Sequence, residues 1–95
     1  MGSSRKGRDI DSALCEKGFR RDVSGKHIRY FLRGFEEIRT MMSHGMLGQT
    51  VGAWLISQMA LQLRLPKAQF LELIDCTLDE EVYRNIILGR NEEDE

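Results

Sequence analysis

The spacing of apolar residues changes twice along this chain. Ile10, Ala13 and Leu14 fall at i, i+3 and i+4, which predicts a short helix over 8–17 with one buried face. Asp9 and Asp11 supply negative charge where a helix N-terminus favours it, and Gly18 is placed to end the helix. From Phe19 onward the period drops to two. Residues 19–23 read as a short strand with Phe19 and Val23 inward, and Ser24-Gly25-Lys26 as a turn. Residues 27–33 alternate, with Ile28, Tyr30 and Leu32 on one face and His27, Arg29, Phe31 and Arg33 on the other. Gly34 makes a tight connection to a third strand over 35–42. There Ile38, Thr40 and Met42 share one side, and Glu37, Arg39 and Met41 the opposite side.

Beyond a loop at 43–48 the period lengthens again. Val51, Leu55, Met59 and Leu63 recur every four residues and predict a helix over 50–63 that covers the sheet, with Trp54 read as a core anchor. Pro66 suits the first turn of a helix over 67–75, which carries Phe70, Leu71, Leu73 and Ile74. Thr77-Leu78-Asp79-Glu80 matches a capping box for a last helix over 78–88, with Gly89 ending it. The order is α-β-β-β-α followed by two short helices. This is an α+β fold in which a three-stranded antiparallel meander is covered by helices on one face and open to solvent on the other. The expected organisation is an unstructured N-terminus at 1–7, one domain over 8–90 and an acidic tail at 91–95.

The length of 95 residues leaves room for one small domain with a thin core. A net charge of −1 hides an uneven distribution. Residues 1–45 hold ten basic and six acidic side chains, and residues 46–95 hold four basic and nine acidic. A basic half attracts polyanions even in a near-neutral chain, although ordinary surface charge gives the same count. The two cysteines, Cys15 and Cys76, form neither a disulfide framework nor a zinc site. They fit a reducing, cytoplasmic setting, with both thiols packed as small hydrophobes. The polar start lacks the apolar stretch of a secretory signal. The uncharged stretch 40–63 is too interrupted by Ser, Gln, His and Gly to span a membrane.

The open face of the middle strand carries the candidate chemistry. His27, Arg29 and Arg33 point the same way at steps of roughly 7 Å, and Lys26 and Arg39 are placed to join them. His44 follows the third strand. Arginine binds phosphate, and histidine exchanges protons near neutral pH. Together they suffice for metal-independent RNA cleavage, in which an imidazole takes the proton of a 2′-hydroxyl and guanidinium groups stabilise charge on the phosphate. The same residues also describe a surface histidine after a turn (His27) and a loop histidine bonded to backbone (His44). No carboxylate or cysteine stands at ligand spacing from either histidine, so neither a metal nor another cofactor is expected. Of the two adjacent aromatics, Tyr30 is assigned to the core and Phe31 is left free to stack on bases.

The order of these segments resembles HicA-like toxins, small mRNA interferases of toxin–antitoxin pairs. Residues 14–19 resemble the family's first helix with its LxxxGF ending, and residues 25–31 its G-x-H segment. Residues 38–45 are similar to its third strand and histidine-bearing loop, and residues 54–73 to its closing helix and FLxL extension. The resemblance covers about residues 8–75. It implies a fold like a double-stranded-RNA-binding domain, cleavage of translated mRNA, and a cognate antitoxin covering the active face. It also implies His27 as the catalytic acid or base, with His44 as a second site residue. Ile28 stands where many members carry a second histidine, and the helix from Leu78 exceeds the minimal toxin. A non-catalytic RNA-binding module and a protein-interaction domain remain alternatives.

Overall fold

Alternation at period two produces the central sheet. The computed structural model describes the backbone of residues 4–93 and the side chains of residues 4–89. In chain order it contains β1 (Arg5–Lys6), α1 (Gly7–Glu16), β2 (Phe19–Asp22), β3 (His27–Leu32) and β4 (Phe35–Ser43). A 3-10 helix (His44–Gly48) follows, then β5 (Thr50–Val51), α2 (Ala53–Gln62), α3 (Lys67–Ile74) and α4 (Glu80–Glu93). Strands β2, β3 and β4 form an antiparallel sheet in sequence order. The fold is α+β, with the α-β-β-β-α order followed by two further helices.

Ile28, Tyr30, Leu32, Ile38, Thr40 and Met42 all face the covered side of the sheet and are buried. Ile10 and Leu14 from α1 and Ile56, Met59 and Leu63 from the α2 region complete that layer, each with no exposed surface. Where the core admits a polar group, it is bonded. The Tyr30 hydroxyl donates to Asp11 at 2.6 Å, and Arg21 donates to the other oxygen of the same carboxylate at 2.8 Å. Burial first, and the Asp11 contact second, push the Tyr30 hydroxyl far above its ordinary value near 10.

Register is regular from His27↔Ser43 to Phe31↔Arg39 and then breaks, because Leu32 pairs with Phe35. Residues 36–38 of β4 therefore stand unpaired in an enlarged bulge opposite Phe31 and Leu32. The tight turn after it uses Gly34 at φ 90°. Gly18 ends α1 at φ 92°, a conformation that side-chain-bearing residues rarely adopt.

Several boundaries differ from the sequence reading. Arg5 and Lys6, expected within an unstructured N-terminus, pair with Val51 and Thr50 as a two-residue ladder. Residues 1–3 lie outside the described residues. Arg5 also grips Asp75 at the end of α3 through two hydrogen bonds of 2.7 Å. Gly7 is buried against the backbone of Met46, where no side chain fits, and its amide donates to the Gln49 carbonyl at 2.9 Å. These contacts draw residues 50–51 into a strand, so α2 starts at Ala53 rather than residue 50.

The last helix is capped by Asp79, whose carboxylate accepts from the Val82 amide at 2.9 Å, and not by Thr77. The Thr77 hydroxyl instead closes α3 by donating to the Glu72 carbonyl. Gly89 does not end α4, which continues to Glu93 through part of the expected tail. Residues 94 and 95 lie outside the described residues.

Val23, expected inward, lies beyond the end of β2 and is 48% exposed. Both cysteines are exposed rather than packed. Cys15 follows the buried Ala13–Leu14 pair around α1, and Cys76 follows the C-cap of α3 at φ 65°. Helix α4 closes the open end of the core. The Tyr83 ring stacks on Phe19 with centroids 5.9 Å apart, and its hydroxyl donates to the Leu63 carbonyl at 3.0 Å.

Candidate functional site

Ladder register sorts the uncovered face of the sheet into cross-strand rows. Arg20, Phe31 and Arg39 form the first, Asp22, Arg29 and Met41 the second, and His27 with Ser43 the third. In the first row the Arg20 guanidinium carbon lies 4.4 Å from the Phe31 ring centroid, and that of Arg39 lies 5.9 Å from it. Phe31 keeps only 9% of its surface exposed, although it belongs to the open face. Its ring is taken up by arginines and is not a free platform for a base. Arg20 is further held by Glu36 at 3.0 Å.

In the second row Asp22 accepts from both the amide and the hydroxyl of Ser24, at 2.9 and 2.6 Å. Those two bonds, followed by the charges of Arg29 and Arg20, hold its carboxyl below the usual carboxylate range. The Arg29 guanidinium lies close over Gly25. Among the described residues neither Arg29 nor Arg39 forms a salt bridge.

His27, Arg29, Glu37, Arg39 and Met41 line one open cavity of about 570 Å³. Its far wall is the contact between β4 and α2, where the Thr40 hydroxyl donates to Gln62 Oε1 at 2.6 Å. The sequence-predicted group is thus brought together in part. His27, Arg29 and Arg39 share the cavity. Lys26 is exposed in the turn before β3 and does not line it.

Arg33 does not stand beside His27 and Arg29. It follows the end of β3, in the turn six residues beyond His27, about 20 Å along the strand direction. There its amide donates to the Gly18 carbonyl at 3.2 Å, and its own carbonyl accepts from Arg84 at 2.8 Å. His44 Nε2 donates to the Gly25 carbonyl at 3.0 Å. A carbonyl only accepts, so the proton is on Nε2 and the ring ties the β4 exit to the turn that precedes His27. His44 is a backbone-bonded loop residue that does not line the cavity.

Trp54 is not a core anchor: it is 75% exposed at the start of α2. That helix buries Ile56, Met59 and Ala60, and the indole projects from a different face. A second cavity of about 390 Å³ lies beside Trp54, Leu55 and Gln58, and it shares His27, Met41 and Gln62 with the first. Sequence reasoning missed Gln58 and Gln62. Their signal was the i+4 spacing of Trp54, Gln58 and Gln62, which places all three on one face of a helix.

Among the described residues no group of three or more His, Cys, Asp or Glu side chains could hold a metal ion. Among the described residues no helix is long and apolar enough to cross a membrane. Comparison with family models, curated proteins and solved structures gives no match to this chain. The site therefore stands on its own geometry: an exposed imidazole, two guanidinium groups and the Glu37 carboxylate around one open cavity.

Proposed function

We propose that the open sheet face binds RNA and cleaves it without a metal, in the manner of a HicA-like mRNA interferase. One observation carries the reading: His27, Arg29 and Arg39 line the same cavity, and among the described residues neither guanidinium is engaged in a salt bridge. In the proposed reaction the neutral His27 ring takes the proton of a ribose 2′-hydroxyl. The 2′-oxygen then bonds to the adjacent phosphorus, the bond from phosphorus to the 5′-oxygen breaks, and that oxygen takes a proton from water, while the His27 imidazolium returns its proton to solvent. The products are a 2′,3′-cyclic phosphate and a 5′-hydroxyl. Arg29 and Arg39 donate hydrogen bonds to the phosphoryl oxygens as negative charge builds on them. The reading brings with it translated mRNA as substrate, a cytoplasmic location and a cognate antitoxin seated over this face.

Incubation with end-labelled RNA in EDTA tests the chemistry. The expected result is 2′,3′-cyclic phosphate ends, with cleavage by His27→Ala reduced about 10²- to 10⁴-fold and its fold unchanged. Equal cleavage by parent and His27→Ala protein removes His27 from the mechanism. A second reading, RNA binding without cleavage, has its own support: among the described residues no hydrogen bond orients the His27 ring, and a working base is ordinarily held by one. Salt-sensitive binding with no product in the same assay selects it.

A further inference from the structure

We propose that Trp54 is a stacking platform for an unpaired nucleobase of the bound strand; the inference rests on the open face binding RNA. An indole with 75% of its surface exposed is the largest apolar side chain that the fold leaves in water. It lies in the cavity that adjoins the cationic one, and the two share His27, Met41 and Gln62 as common walls. A polynucleotide whose phosphate sits between Arg29 and Arg39 therefore has a continuous path past His27 to the indole.

The path has a chemical gradient that suits a nucleotide. Its phosphate end is cationic. Its other end offers Trp54 and the half-exposed Met41, which suit a flat, weakly polar ring. Between them, Trp54, Gln58 and Gln62 stand four residues apart along α2, a row of about 12 Å. Gln62 has its carbonyl oxygen occupied by the Thr40 hydroxyl, so its amide nitrogen is left to donate to an acceptor on a base edge. Gln58 lines the same cavity with a donor and an acceptor. Cations that track the backbone, together with an exposed aromatic for bases, are the recurring means of holding single strands. A duplex keeps its bases stacked inside and cannot use the indole.

Trp54 is the only tryptophan in the chain, so its emission reports this position alone. The test titrates the full chain with a single-stranded 2′-O-methyl RNA hexamer, which lacks the nucleophile and stays intact. Binding is read in parallel by anisotropy of an end label. The expected result is saturable quenching of Trp54 emission in step with binding. Trp54→Ala should weaken affinity about tenfold or more, and Trp54→Phe should restore most of it. A duplex of the same sequence and inorganic polyphosphate should bind without quenching. Tight hexamer binding with unchanged emission, and undiminished affinity in Trp54→Ala, overturns the platform while leaving the RNA reading intact. No binding of any of the three polyanions overturns the RNA reading and this inference with it. Emission that depends on protein concentration alone, with a sedimenting dimer lost in Trp54→Ala, assigns the indole to self-association and overturns the platform.

Discussion

Arg20 and Phe31 face each other directly in the β2–β3 ladder, and the guanidinium of the first stacks on the ring of the second at 4.4 Å. With Glu36 also bonded to Arg20, that cation is committed within the protein. Arg29 and Arg39, on the same face, form no such ion pair among the described residues. Three arginines on one sheet surface therefore differ in what they can offer a ligand.

This difference predicts unequal effects on RNA binding. Each phosphate contact to a single strand contributes about 0.7 to the slope of log affinity against log salt. Arg29→Gln and Arg39→Gln should each lower affinity and flatten that slope by about 0.7 between 50 and 200 mM salt. Arg20→Gln should change it much less. Equal slopes for all three variants would show that the ion pair does not decide which arginine meets phosphate.

His44 is predicted to act through backbone position. His44→Ala removes the bond to the Gly25 carbonyl and should cost about 0.5–1 kcal/mol in urea unfolding. RNA cleavage should fall less than in His27→Ala and keep the same pH profile, because the proton-transferring ring is still present. A loss as deep as that of His27→Ala, with unchanged stability, would instead make His44 a direct participant.

The two buried tyrosines predict alkaline sensitivity. Burial is the first cause that raises the hydroxyl of Tyr30 and of Tyr83 above the ordinary value near 10. A group raised in the folded state contributes stability that is fully present below its unfolded value and is lost as pH rises beyond it. Unfolding free energy should hold up to about pH 10 and then fall by about 1.4 kcal/mol per pH unit for each tyrosine. Tyr30→Phe and Tyr83→Phe should each remove one such share of the slope. Tyr30→Phe should also cost about 1.5 kcal/mol at pH 7, since the Asp11 carboxylate loses a donor. A slope unchanged in both variants would contradict the assignment.

Gly18 is predicted to be somewhat less replaceable than Gly34. Both have positive φ, but a Cβ on Gly18 would collide with the Glu80 carboxylate and the Arg84 guanidinium, whereas at Gly34 the nearest atom is 3.7 Å away. Gly34→Ala should cost about 1 kcal/mol from backbone strain, and Gly18→Ala about 0.3–0.5 kcal/mol more, because it also displaces the partly exposed Glu80–Arg84 pair. Thermal melts of the two variants order them directly.

The sheet was legible because side chains alternate across it. Ile28, Tyr30 and Leu32 against His27, Arg29 and Phe31 is a pattern that only a half-covered strand satisfies, and Ile38, Thr40 and Met42 repeat it. What alternation does not contain is register, and register decides the site. The bulge at residues 36–38 places Arg39 beside Phe31, whereas Arg33 is lost to the site by strand length alone, because β3 ends at Leu32. Trp54 was misread for a related reason. Period four at Val51, Leu55, Met59 and Leu63 located the helix, but β5 removes Val51 from it, and the buried face turns to Ile56, Met59 and Ala60. Size and hydrophobicity suggested a buried indole, and only the helix's rotation shows otherwise. Thr77 and Asp79 both had capping chemistry, and the choice between them depended on where α3 unwinds.

Tyr83 and Ile87 belong to a helix outside residues 8–75, yet both are wholly enclosed. A polypeptide cut after Asp75 would leave the Phe19 ring bare on one side and the Leu63 carbonyl without its donor. The first two turns of α4 therefore belong to the core, and residues 8–75 depend on that C-terminal neighbour for closure.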